Sequence, residues 1–222
     1  DPSRRASGKK LTWYNEAGNW NITLAKPRKT YIIAITDMTY KLSYKVKGVF
    51  PMKNAILVID MQNDFINGSL GTAEAQAIVP LVHARLQAAL ANRTADLLFT
   101  QDTHTIDYLK TAEGKKLPVE HCIKPQKGWE ICPELAPFAK KARVFEKPTF
   151  GCTALLDAVK NYEHITLLGL CTDICVISNA LLLKAFYPEK NIAVDSQCCA
   201  GVTPQSHQNA LDAMKMCQID IL

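Results

Sequence analysis

Ile165-Thr166-Leu167-Leu168-Gly169-Leu170-Cys171-Thr172-Asp173-Ile174-Cys175-Val176 is the stretch from which the fold of this chain is read. It begins as an apolar run of strand length, breaks at Gly169, and passes into helical spacing through Ser178, Ala180, Leu181 and Leu182. A buried parallel strand feeding straight into a helix has this pattern. Cys175 then falls near the first turn of a helix expected from about Asp173 to Ala185. Unpaired backbone N–H groups and the helix dipole favour an anion there. A thiol so placed is expected to have a lowered pKa and to be nucleophilic at neutral pH. The competing reading is a buried cysteine with only a packing role.

Outward from this stretch, strand and helix patterns alternate. Ala55-Ile56-Leu57-Val58-Ile59 is a fully apolar strand ending at Asp60, and a helix follows with Ile78, Val79, Val82, Leu86 and Leu90 at helical spacing. Pro80 is best tolerated in a first turn, so that helix is expected to start only a few residues before it. Leu97–Thr100 is a second strand ending at Gln101-Asp102, and a long polar loop spans residues 103–133. Arg143–Glu146 reads as a third strand followed by Lys147-Pro148, with a short helix near 152–161 before the opening stretch. Asn191–Asp195, a helix near 204–216 and Gln218–Ile221 complete the pattern. Such alternation predicts an α/β fold, a parallel sheet covered by helices on both faces. Ligands bind beyond the strand C-terminal ends of such sheets, where Asp60, Asp102, Lys147 and Cys175 all fall.

The 222 residues suffice for one domain with a sizeable core, or a domain with an appendage. Hydrophobic content of 48% is ordinary, and no apolar stretch reaches the roughly 18 residues of a membrane span. The formal charge of +5 is uneven: residues 1–51 hold ten Lys+Arg against three Asp+Glu, leaving −2 on the remainder. The basic excess belongs to the leader, so no nucleic-acid surface is expected on the main domain. All eight cysteines lie beyond residue 121, and no secretory leader is visible, which points to reduced thiols and a cytoplasmic protein. Within 1–51, Tyr40–Lys47 alternates like an exposed strand, and Met52 sits directly ahead of a strong strand. A native start at Met52, with 1–51 as a basic extension, is therefore expected; a β-hairpin packed on a sheet edge is the alternative.

A cysteine nucleophile needs a base for its proton and surroundings that stabilise a thiolate. Asp60 can be that base, and Lys147 supplies positive charge that keeps Asp60 ionised. A plain ion pair at the sheet rim is the bland reading of the two. His83, His164 and His207 read as packed or solvated surface residues, with nothing catalytic near them in sequence. The loop after the second strand holds Asp102-Thr103-His104, Glu113 and His121. Two imidazoles and one or two carboxylates suit Zn²⁺, Fe²⁺ or Mn²⁺ with open positions left, although loop charges are often only solvated.

Residues 54–222 resemble the isochorismatase-like cysteine hydrolases, and specifically their nicotinamidase branch. The motifs are Val58-Ile59-Asp60-Met61-Gln62-Asn63-Asp64-Phe65, Asp102-x-His104 with His121 following, Glu146-Lys147-Pro148, and Gly169–Val176. The resemblance implies a three-layer, mostly parallel six-stranded sheet, with 52–222 as the cysteine hydrolase domain. It implies a catalytic triad of Asp60, Lys147 and Cys175. It also implies a cis peptide between Leu170 and Cys171, and an oxyanion hole made by the N–H groups of Cys171 and Cys175. The metal set of Asp102, His104 and His121 follows in the same way, with Glu113 where many relatives have a third His. The Trp that often precedes the last metal His is replaced by Pro118-Val119-Glu120. Phe65 matches an aromatic that stacks on the substrate ring, and Phe150 is a second wall; core packing is the alternative for both. The implied reaction is nicotinamide hydrolysis to nicotinate and ammonia, feeding NAD salvage, with one divalent ion. Two alternatives are a metal-free ureido or carbamoyl amidase and a non-catalytic binding domain. The expected partners are a small amide substrate and further copies of the chain in a homo-oligomer, with no nucleic acid or membrane.

Overall fold

The apolar run predicted around Ile56 is the central strand of the structure, a computed structural model that describes residues 10–15, 18–23 and 54–222. The chain divides into two units, Asp1–Gly48 and Val49–Leu222. In the first, β1 (Lys10–Asn15) and β2 (Gly18–Thr23) pair antiparallel, from Lys10 opposite Thr23 to Asn15 opposite Gly18. The strand expected at Tyr40–Lys47 lies outside the described residues.

The second unit holds a six-stranded sheet of β3 (Asn54–Ile59), β4 (Asp96–Asp102), β5 (Arg143–Lys147), β6 (His164–Leu170), β7 (Asn191–Ala200) and β8 (Asp220–Ile221). Its order is β5-β4-β3-β6-β7-β8, and every pairing is parallel. In β3, Ala55 to Ile59 are all buried, so the run packs on both faces, as expected of a strand sandwiched between helices. The helices are α1 (Asn63–Ile66), α2 (Ala73–Asn92), α3 (Ala136–Ala139), α4 (Ala154–Ala158), α5 (Ile177–Phe186) and α6 (Pro204–Met216). The chain builds outward from β3 through β4 to β5, then returns to lay β6 on the other side of β3. This reversal makes a topological switch point between the C-terminal ends of β3 and β6. Asp60 follows one of those strands and Cys175 the other.

Three expectations are corrected. Helix α2 starts at Ala73, where the Thr72 hydroxyl caps the Ala75 N–H at 3.0 Å, so Pro80 lies well inside it. Pro80 and Gln76, whose carbonyl loses its helical donor, are both solvent-exposed, which limits the cost. Leu90 is also on the exposed side of that helix. Strand β7 runs five residues past the expected Asp195 to Ala200, because a register shift against Leu167–Gly169 restores pairing at Cys199 and Ala200. Cys198 and Cys199 are therefore buried strand residues, and all eight cysteines are free. Among the described residues no helix is long and apolar enough to cross a membrane.

Gly169 is dictated by the β3–β6 contact. Its φ is +115°, and a Cβ there would stand 2.2 Å from the Ile59 carbonyl oxygen. The Gly169→Ala protein is expected to lose about 3 kcal/mol or more of stability, from a strained backbone and a backbone clash combined. A thermal melt within a degree of the native protein's would contradict this.

Candidate active site

Three strand ends deliver the groups predicted as a triad. Asp60 immediately follows β3, with φ +46°, and is fully buried. Lys147 ends β5, and its ammonium is also buried, 2.7 Å from Asp60 Oδ2 and 3.4 Å from Cys175 Sγ. Its remaining contacts are the Thr149 carbonyl at 3.0 Å and Asp102 Oδ1 at 3.2 Å. Thr100, on β4, donates its hydroxyl to Asp60 Oδ1 at 2.7 Å. The structure thus brings Asp60, Lys147 and Cys175 together in a buried site.

Cys175 does not sit in the first turn of an α-helix. It lies in a five-residue π-helical turn, Thr172–Val176, that runs into α5. Nor is its thiol pKa lowered. Burial, reinforced by the Asp60 charge and against the pull of Lys147, pushes it well above the usual range. Helix-end stabilisation is outweighed because the sulfur is desolvated and two carboxylates lie near it. Burial raises Asp60 likewise, with Lys147 opposing and Asp102 adding. The lysine itself is pulled down by burial, but Asp60, Cys175 and Asp102 prevail and hold it above its ordinary value. The resting site therefore holds a protonated thiol beside a carboxyl of raised pKa, an arrangement that suits proton transfer between them.

The preceding peptide, Leu170–Cys171, is cis, as the resemblance implied. Burial pushes the Cys171 thiol up to about 12 as well, and it is the Cys175 sulfur that Lys147 contacts, at 3.4 Å. Asn179, fully buried on α5, donates to the Cys175 carbonyl at 2.8 Å and the Phe150 carbonyl at 3.0 Å, and accepts from the Cys152 N–H at 2.8 Å. That ties the Thr172–Val176 turn to the loop that follows Lys147.

The second constellation adjoins the first. Asp102 ends β4, and its two oxygens face different ways. Oδ1 contacts Lys147, whereas Oδ2 lies 3.0 Å from His104 Nε2 and 3.6 Å from His121 Nε2. Glu113 Oε1 is 3.8 Å from both imidazole nitrogens. His121 Nδ1 bonds the Val119 carbonyl at 2.9 Å, which fixes the ring and turns Nε2 toward the cluster. His104 Nε2 is a buried nitrogen with no aligned hydrogen-bond partner. Ligand atoms of Asp102, His104 and His121 all lie within 4.8 Å of one another. The carboxylates of Asp102 and Glu113 face the imidazoles of His104 and His121, and a divalent cation there would compensate the carboxylate charge. The donor set and the orphaned nitrogen fit such an ion.

Phe65, on α1, is buried with its ring 5.5 Å from that of His121. Phe150 is 42% exposed in the loop after β5, so it is not a core residue. Three supporting residues were not read from sequence. Buried Gln62 accepts the Asp102 N–H at 2.7 Å and donates to the Asp102 carbonyl at 2.8 Å, clamping that strand end. Asp64 accepts the Cys122 N–H at 2.7 Å, next to His121. Buried Tyr108 packs its ring 4.7 Å from His104 and 4.8 Å from His121. Gln62 and Asp64 stand inside the quoted motif, which was the available signal; Tyr108 had none.

The chain belongs to the Isochorismatase domain family, which it matches over residues 54–222, and is a hydrolase of that family. Among solved structures, nicotinamidase/pyrazinamidase PncA from Bacillus subtilis is 27% identical, covering 77% of this chain and 99% of that one, with a TM-score of 0.66. Pyrazinamidase of Pyrococcus horikoshii in complex with zinc is 22% identical over 77% and 98% of the two chains, with a TM-score of 0.67. N-carbamoylsarcosine amidase from Thermoplasma acidophilum is 25% identical over 77% and 95%, with a TM-score of 0.62.

Proposed function

We propose that this chain is a metal-assisted cysteine amidase that hydrolyses nicotinamide to nicotinate and ammonia through a thioester on Cys175. The observation that carries the reading is the shared wall between the two constellations. Lys147 touches Asp60, Cys175 and one oxygen of Asp102, while the other oxygen of Asp102 faces His104 and His121.

Asp60 takes the thiol proton and Cys175 sulfur attacks the carboxamide carbon. The N–H groups of Cys171 and Cys175 donate to the developing oxyanion; such donors typically contribute about 10²–10³ in rate each. Ammonia leaves with the proton returned by Asp60. A water molecule, deprotonated by Asp60, then cleaves the thioester to nicotinate and restores the thiol. Lys147 holds both Asp60 and the sulfur in place throughout. Asp102, His104, His121 and Glu113 would hold one divalent ion, Zn²⁺, Fe²⁺ or Mn²⁺, which when bound would supply Lewis acidity toward a pyridine nitrogen. Phe65 and Phe150 wall the ring. The product feeds NAD salvage in the cytoplasm.

A metal-free ureido or carbamoyl amidase is the second reading, favoured by the likeness to N-carbamoylsarcosine amidase. Ammonia release from a panel of nicotinamide, pyrazinamide and N-carbamoyl amino acids, with metal analysis of the same sample, separates the two. Turnover of the carbamoyl compounds alone by metal-free protein selects the second. A non-catalytic binding domain would release ammonia from none of them.

Two further outcomes are expected. Asp60 acts as a base only when ionised, so activity falls with decreasing pH through its pKa, which burial raises above the ordinary 3.8. The Thr100 hydroxyl lowers it, so Thr100→Val moves the acid limb of kcat/KM to higher pH. A limb that stays put, or moves down, would remove Asp60 from the base role. Residues 52–222 carry the hydrolase domain, so a chain starting at Met52 turns over substrate at the full chain's rate. Loss of activity on truncation would assign residues 1–51 a part in the domain.

A further inference from the structure

His207, read from sequence as a surface residue, is half-buried and bonded to the turn that carries the nucleophile. Its Nδ1 lies 2.8 Å from Thr172 Oγ1. Thr172 is fully buried and opens the Thr172–Val176 turn. It follows Cys171, whose carbonyl accepts the Ile174 and Val176 N–H groups at 3.1 and 3.0 Å and so closes that turn. The next residue is gripped from the same direction, for the Val202 N–H donates to both carboxylate oxygens of Asp173 at 3.2 and 3.1 Å.

The element that supplies these bonds is itself well fixed. Thr203 and Ser206 form a capping box at the start of α6, with Pro204 in its first turn. The chain passes His207 so closely at Gly201 that a Cβ there would stand 2.9 Å from the His207 Cα. Burial holds the imidazole below its usual pKa, with Asp173 opposing, so the ring is neutral near pH 7. Asn179 ties the nucleophile turn to the loop after Lys147. The bonds from His207 and Val202 secure it on the side of α6.

We propose that His207 is a positioning residue, which through its bond to Thr172 sets the place of Cys175 and the Cys171 N–H relative to Asp60 and Lys147. The proposal rests on the amidase reading of Cys175. It requires no contact between His207 and substrate. Misplacing a reacting group by about 1 Å can cost up to about 10²-fold in rate, and one lost tether should cost less.

The test is a double-mutant cycle on the full, zinc-loaded chain, using His207→Ala, Thr172→Val and the pair, with His207→Asn as the conservative variant. Two readouts are taken well below each variant's melting temperature: nicotinamide kinetics, and alkylation of Cys175 by iodoacetamide. His207→Ala and Thr172→Val should each lower kcat about tenfold with KM within about twofold, and the pair should fall no further. Asn carries an amide where Nδ1 stood and should recover most of the rate. A native kcat in folded His207→Ala, multiplying effects in the pair, or no recovery with Asn overturns the proposal. If the native protein releases no ammonia from any amide, the amidase reading fails, and the alkylation cycle decides alone. Non-additive slowing there upholds the His207–Thr172 tether, and its absence overturns it.

Discussion

The Cys175→Ala protein is expected to release ammonia from nicotinamide roughly 10⁴–10⁶-fold more slowly than the native chain, as for other enzymes that lose a covalent nucleophile. Its fold should survive. Alanine fits the same turn, and deleting one buried sulfur costs about 1 kcal/mol, small against total stability. The companion Cys171→Ala should stay within about tenfold of native, because that residue contributes a backbone N–H, which alanine keeps. The two variants separate the mechanism from a general sensitivity of the turn. Comparable losses in both, or more than a small residual rate in Cys175→Ala, would remove the thioester.

The second large effect concerns Asp102 and His104. Losing a direct ligand should weaken metal binding beyond the roughly 10–100-fold typical of losing an outer-shell partner. Both His104→Ala and Asp102→Ala are therefore expected to purify without metal and to show a strongly raised KM for nicotinamide. They should part company at the thiol. His104 does not touch Lys147, so alkylation of Cys175 in His104→Ala should proceed at the rate of the metal-stripped native protein. Asp102 bonds Lys147, and its negative charge raises the Cys175 pKa. Removing that charge lowers the thiol pKa and should speed alkylation at pH 7. Glu113→Ala should weaken the metal least, since its carboxylate is partly exposed and 3.8 Å from each imidazole nitrogen. Equal thiol reactivity in the His104 and Asp102 variants would break the proposed link between the two constellations.

That link shows where sequence reading ran out. The parallel sheet was legible because β3 and β6 are apolar along their length, and because Asp60, Asp102 and Lys147 each stand at the end of a strand pattern. The strand patterns put Asp102 and Lys147 at the same edge of the sheet but do not report that β4 pairs with β5, which sets the two side by side. Spacing also suggested an activated thiolate at a helix start. The depth of the site, which spacing does not report, makes Cys175 a protonated thiol and gives Asp60 its task. Pro80 misled because its exposed position lets a helix continue through it. His207 was dismissed for having no catalytic neighbour in sequence, yet the β7–α6 connection folds it back against Thr172. Glu113 converges on the same nitrogens as Asp102 despite its weaker match to the family pattern.

The most direct test mixes purified, zinc-loaded protein with nicotinamide and measures nicotinate and ammonia together. Equal amounts of the two are expected, with a nicotinoyl adduct trapped on the Cys175 peptide by acid quench. Ammonia from N-carbamoyl amino acids but none from nicotinamide, or turnover of nicotinamide by Cys175→Ala, would contradict this.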